Sequence, residues 1–178
     1  MKLLRTIQLD PSDTIVFERA ATPGEWAVSG AFAFWNDDVT ALHGKARAAF
    51  RGGFLGVQSL GWSTLVQVVE ASDQDRAAVV VLLAQKLVER FGAPDLAAAR
   101  ASAEEEVAFA ASLCNQPPDT LIAVHRIFEG DETREAFRTL SPRGGAKPLR
   151  AFSFLEVEGD DEPTEAVDLV SIAERARE

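Results

Sequence analysis

A chain of 178 residues, 47% hydrophobic and 26% charged, suffices for one self-sustaining domain, which buries roughly 70% of its unfolded surface without help from metal or disulfides. The net charge of −10 sets the surface against the phosphate backbone and so against a nucleic-acid partner. The lone cysteine, Cys114, has no internal partner, and no apolar run approaches the roughly 20 residues that span a bilayer; a cytoplasmic protein without a membrane segment is expected.

The first stretch, KLLRTIQL, places Leu3, Ile7 and Leu9 at period two, a strand pattern that Leu4 interrupts. Arg5, Gln8 and the stop at Asp10-Pro11 break it as a secretory signal. Asp10-Pro11-Ser12-Asp13 reads as a turn, TIVFERA as a returning strand, and Pro23-Gly24 as a type II turn, glycine accepting the positive φ. EWAVSGAFAFW, with Trp26, Val28, Phe32 and Phe34 at even positions, makes a third strand. On such a strand the neighbours Phe34 and Trp35 face opposite ways, so that one of them is exposed.

Asp37 or Asp38 caps a helix that carries Leu42, Ala46, Ala49 and Phe50 on one face and ends at Gly52-Gly53. STLVQVVEA is a buried strand. Ser72 to Asp75 then approximates a capping box, opening a helix that runs to Phe91 and closes at Gly92 and Pro94. Its centre, AAVVVLLA, is apolar nearly all round, so the helix is expected between the sheet and the following helix. That following helix, over residues 95–114, shows a stripe of Leu96, Ala99, Ala103, Val107, Ala110 and Cys114.

After Pro117-Pro118 a hairpin is expected about Gly130-Asp131 in a type II′ turn, pairing Val124 with Phe137 and Arg126 with Glu135. Ser141 to Gly145 reads as a linker, AFSFLEVE (151–158) as a strand, and Thr164 as the cap of a short last helix. Residues 149–178 hold nine acidic and three basic residues, a net of −6, so the other 148 contribute only −4. The expected organisation is a globular α+β domain over residues 1–142, a mainly antiparallel sheet of about five to seven strands with two long helices packed on one face. An acidic extension over residues 143–178 follows it. Such a tail docks on a partner, folds back on its own domain, or stays solvated.

GVQSLGWST (56–64) has the glycine spacing of a phosphate loop. Trp62 occupies the place of the lysine, and the expected order of helix before and strand after is the reverse of what phosphate binding uses. A tight turn that packs Trp62 into or beside the core is the better reading. His125 lies mid-strand among Leu121, Ala123 and Ile127, as a general base or as a hydrogen-bonded sheet histidine. His43 reads as exposed. Cys114, His43 and His125 lack the short spacing of a zinc site, and Cys114 on an apolar stripe reads as an inert thiol rather than half of a Cys–His nucleophile. Glu104-Glu105-Glu106 lacks the histidine a di-metal helix needs and reads as a solvated face. No metal or other cofactor is expected.

The stretches IVFERAA (15–21), GFLGVQSLGWSTLVQVVEA (53–71) and FGAPDLAAARA (91–101) resemble a family of small uncharacterised proteobacterial proteins, a domain of unknown function, over residues 1 to about 140. The resemblance implies no activity, so no site residue transfers. Two functions remain. One is a non-enzymatic accessory or binding protein acting through protein contacts, its oligomeric state open and a homodimer included. The other is a small-molecule-binding domain or enzyme with a pocket between sheet and helices near Trp62 and His125. Trp62, His125 and Trp35 are the ligand-binding candidates, aromatic rings suiting a planar or apolar ligand.

Overall fold

The computed structural model of the chain describes residues 1–142 and 155–158. It is α+β. Among the described residues eight strands form one curled, antiparallel sheet: β1 (Lys2–Ile7), β2 (Trp26–Val28), β3 (Phe54–Gly56), β4 (Trp62–Ser63), β5 (Leu65–Glu70), β6 (Leu121–Glu129), β7 (Glu132–Pro142) and β8 (Leu155–Glu158). Their order is β4-β3-β2-β1-β5-β6-β7-β8. The two long helices are α3 (Asp73–Phe91) and α4 (Leu96–Ser112); shorter ones are α1 (Ser12–Val16) and α2 (Gly44–Gly52).

Both long helices carry the expected end signals. The Ser72 hydroxyl accepts from the Asp75 amide at 3.1 Å while the Asp75 carboxylate accepts from the Ser72 amide at 2.9 Å, a complete capping box. The Asp95 carboxylate caps α4 by accepting from the Ala98 amide at 2.8 Å. The stripe on α4 is buried at Ala99, Ala103, Val107 and Ala110, and Cys114, two residues past its end, is buried as well, whereas Leu96 is exposed. Because that stripe is mostly alanine, α4 lies close on β1 and β2, and α3 packs against α4. The expectation that α3 lies between the sheet and the following helix is corrected: it is α4 that lies on the sheet, with α3 packed against α4. Val79, Val80, Leu83, Ala84 and Leu87 are buried, but Val81 and Val88 stay exposed, so a single stripe is covered.

The β6–β7 hairpin has the expected register, with Val124 opposite Phe137 and Arg126 opposite Glu135. Gly130 has φ +64 and Asp131 no positive φ, the signature of the type II′ turn. The Thr22–Glu25 turn likewise has Gly24 at φ +85. β7 runs through Ser141-Pro142, where a linker was expected. The last helix expected from Thr164, and most of the acidic extension, lie outside the described residues; β8, within it, joins the sheet beside β7.

Two expected strands are not strands. TIVFERA begins as the one-turn helix α1, because the Asp10 carboxylate accepts from the Ser12 amide at 2.8 Å and the Asp13 carboxylate reaches the Thr64 amide at 3.2 Å. Ile15 and Val16 are therefore exposed, and only Phe17 enters the core. EWAVSGAFAFW stops being a strand after Val28. Gly30 turns at φ +81 against Leu55 and Trp62, and Ala31–Phe34 form a 3₁₀ helix. One of Phe34 and Trp35 is exposed, as expected; it is Trp35, with Phe34 buried, and the cause is the helical turn rather than strand alternation. The helix expected from Asp37 or Asp38 starts only at Gly44.

The glycine-spaced loop joins β3 to β4, and its amides do hold an anion, one the chain supplies itself. The amides of Gln58 and Ser59 each donate to Glu25 Oε2 at 2.8 Å, the Ser59 hydroxyl donates to Oε1, and the Thr22 amide donates to Oε1 at 2.7 Å. Glu25 thus fills an amide nest of the kind that holds phosphates elsewhere. The glycines are there for close approach. A Cβ on Gly56 would lie 2.5 Å from the Glu25 carboxyl carbon, and one on Gly61 would strike the Ala20 carbonyl. Replacing Glu25 with alanine should cost about 2 kcal/mol in a denaturant titration, since the loop amides lose a charged acceptor; an unchanged midpoint would show that water satisfies the loop equally well.

Candidate functional site

Trp62, His125 and Trp35 are not brought together. Trp62 stacks on Phe34 with ring centres 5.2 Å apart, and Phe34 meets Phe50 edge-on at 5.3 Å. Its outer edge lines a 500 Å³ cleft with Glu18, Arg19, Lys45 and Leu60. His125 alternates with the buried Val124 and Arg126, so it points away from them and is exposed. It lines neither the cleft at Trp62 nor the one at Trp35. The expected pocket shared by Trp62 and His125 is corrected on that geometry. Cys114 is buried, donates to the Ala110 carbonyl at 3.4 Å, and burial pushes its thiol up to about 11, which leaves no thiolate for chemistry at neutral pH. His43 is exposed with Nδ1 3.1 Å from the Ala41 carbonyl oxygen. Among the described residues no three His, Cys, Asp or Glu side chains gather as a metal site requires.

Trp35 does line an opening. The indole, 67% exposed, stands where the 3₁₀ helix faces the end of α3 and the flank of α4. The 350 Å³ groove between them is walled by Phe32, Trp35, Leu87, Phe91, Glu105 and Glu106. Phe32 and Phe91 meet edge-on at 5.3 Å and hold the 3₁₀ helix to α3. Ala98 and Ser102 keep the α4 side low, and Gly92-Ala93-Pro94 closes the far end. A second, 260 Å³ hollow lies on the other side of Trp35, along Asp37, Asp38 and Phe128. The ring is a ridge between two depressions.

The groove's chemistry comes from Glu106. Read from sequence as solvated like Glu104 and Glu105, it is instead only partly exposed, and burial, with Glu135 and Glu105 nearby, lifts its pKa to about 7 against the pull of Arg126. Among the described residues it makes no hydrogen bond and no ion pair. The sequence signal for this was available. Glu106 stands three residues after the stripe residue Ala103 and four before Ala110, which puts it at the stripe's edge, whereas Glu104 and Glu105 are exposed.

Arg126 is the cation behind that wall, and it is fully buried, which the hairpin pattern did not reveal. Its Nε donates to Glu135 Oε1 at 2.6 Å, Nη1 to the carbonyls of Phe50 and Gly53 at 3.0 and 2.7 Å, and Nη2 to the Ser29 carbonyl and, at 2.9 Å, its hydroxyl. One guanidinium ties β6 to the end of α2, the start of β3 and the turn after β2. Its donors are used inside the protein, so it holds structure together rather than a ligand.

Residues 1–154 match a family described as a family of unknown function (DUF6505). The chain belongs to DUF6505. No curated protein and no solved structure matches it. The match takes in every element from β1 to β7 and thus all the residues of the groove. No helix among the described residues of this DUF6505 chain is long and apolar enough to cross a membrane.

Proposed function

We propose that this protein is a non-enzymatic accessory protein of the cytoplasm that binds a partner protein through the groove between the 3₁₀ helix, α3 and α4. The observation that carries this reading is the exposed indole of Trp35 on the rim of an aromatic groove. A folded protein keeps a tryptophan in water at the cost of its hydrophobic contribution, and tryptophans beside pockets recur as the anchors of protein interfaces. The surroundings support it. The ridge is supported by rigid elements, Phe32 being fixed on Phe91, so little order must be gained on binding. A reducing compartment suits the single buried thiol of Cys114.

The test uses three forms of the full protein as bait: wild type, Trp35→Ala, and a chain truncated after residue 148. Trp35→Ala should keep its melting temperature within a few degrees, being a surface change, and lose a partner that wild type and the truncated chain both retain. Retention of that partner by Trp35→Ala would refute the groove, and its loss only on truncation would move the contact to the acidic extension.

A further inference from the structure

We infer that the groove receives an arginine side chain of the partner, its guanidinium lying against the indole of Trp35 and donating to the carboxylate of Glu106. This rests on the contact reading above and states the chemistry of what binds there. Three observations lead to it. Glu106 is drawn into an apolar groove and, among the described residues, has no hydrogen-bond donor of its own. Arg126, the cation nearest in effect, has its donors committed to Glu135, Ser29, Phe50 and Gly53. Three of the other wall residues, Phe32, Trp35 and Phe91, are aromatic, the surface over which a cation is held by the ring quadrupole.

The charge of the site has one sign to spare. Glu105 on the same helix and Glu135 on β7 face Glu106, and Arg126 on β6 offsets only part of them. Burial in the groove is the first cause of the raised pKa of Glu106, and the negative charge of Glu135 and Glu105 that Arg126 leaves unmatched adds to it. A planar, weakly hydrated guanidinium fits better than an ammonium, because it stacks on a ring while donating to a carboxylate in its plane. The net charge of −10 favours approach of a basic partner. Proton and guanidinium then compete for one carboxylate, so affinity should rise with pH through about 7.

The experiment titrates two capped dipeptides, acetyl-Leu-Arg-amide and its neutral isostere acetyl-Leu-citrulline-amide, into the full-length protein. The readout is the indole N–H resonance of Trp35, assigned with Trp35→Phe. The arginine peptide should bind about tenfold tighter at pH 7.5 than the citrulline peptide, the range of a partly desolvated cation on a ring and a carboxylate. That preference should shrink at pH 5.5 and vanish in Glu106→Gln. Equal binding of the two peptides would overturn the arginine assignment and leave the groove as an apolar contact site. If neither peptide moves the Trp35 resonance at millimolar concentration, the groove itself is not a binding site and both readings fall.

Discussion

Arg126→Met will destabilise the protein by about 3–5 kcal/mol, the usual cost of removing one member of a buried charged pair. The methionine fills similar volume, so the loss reports the polar links rather than a cavity. It leaves the Glu135 carboxylate, 19% exposed, without its cation and with only the Ser29 hydroxyl donating to it at 2.6 Å, and removes the donors that satisfy the Ser29, Phe50 and Gly53 carbonyls. Arg126→Lys should recover only a small part, because one ammonium cannot span three separate segments. Hydrogen exchange should show where the loss falls, with protection declining first at the end of α2 and in β3. A methionine variant within 1 kcal/mol of wild type by denaturant titration would mean that the guanidinium only replaces packing an apolar side chain supplies as well, as happens for some buried ion pairs.

The second large effect has the opposite sign. Glu106→Gln should stabilise the protein at pH 8 by about 2 kcal/mol, and by nearly nothing at pH 4. In the unfolded chain a glutamate releases its proton near its ordinary value of 4.5, whereas in the folded chain Glu106 keeps it to about 7. Between those values the folded state binds the extra proton, so raising the pH costs stability, and above about 7 the full cost remains. Glutamine cannot ionise and escapes it. Subtracting the stability–pH curve of the variant from that of wild type isolates this group from the other carboxylates. A difference constant from pH 4 to pH 8 would show that Glu106 titrates as an ordinary surface residue. The two substitutions also couple: with Arg126 gone, Glu106 loses its one favourable neighbour, and the gain from Glu106→Gln should grow.

Both effects bear on function. A protein that maintains a partly buried carboxyl, unpaired among the described residues, beside an exposed tryptophan gives up stability at that place, the usual mark of a surface shaped for something other than folding. If binding supplies the positive charge, the partner restores what the free protein lacks.

Much of the fold could be read from local patterns. The capping box at Ser72, the stripe from Ala99 to Cys114 and the Gly130 turn with its Val124–Phe137 and Arg126–Glu135 partners are each decided within a few residues of chain. Their signals survive tertiary contact because burial reinforces them. Residues 14–20 and 29–35 depart from the strand pattern for the same physical cause in reverse, while the Pro23-Gly24 turn and the strand at Trp26–Val28 between them form as expected. TIVFERA and AFAFW have β-branched and aromatic residues at alternating positions, but an Asx turn at Asp10, a carboxylate reaching from Asp13 to Thr64, and a glycine pressed on Leu55 and Trp62 outweigh propensities of a few tenths of a kcal/mol.

The sequence by itself determined the class of fold, the ends of its long helices and the register of its hairpin, all set by short-range chemistry. It also ruled out a phosphate loop, through the tryptophan standing where a lysine belongs. Only the tertiary structure decided that the loop's amides close on Glu25, that Arg126 is sealed inside while Glu106 has no partner among the described residues, and that Trp35 rather than Trp62 or His125 borders the aromatic groove. Those facts depend on pairs such as Ser29 with Arg126, 97 residues apart. Whether a charge is satisfied depends on what the fold sets beside it, and no window along the chain contains that information.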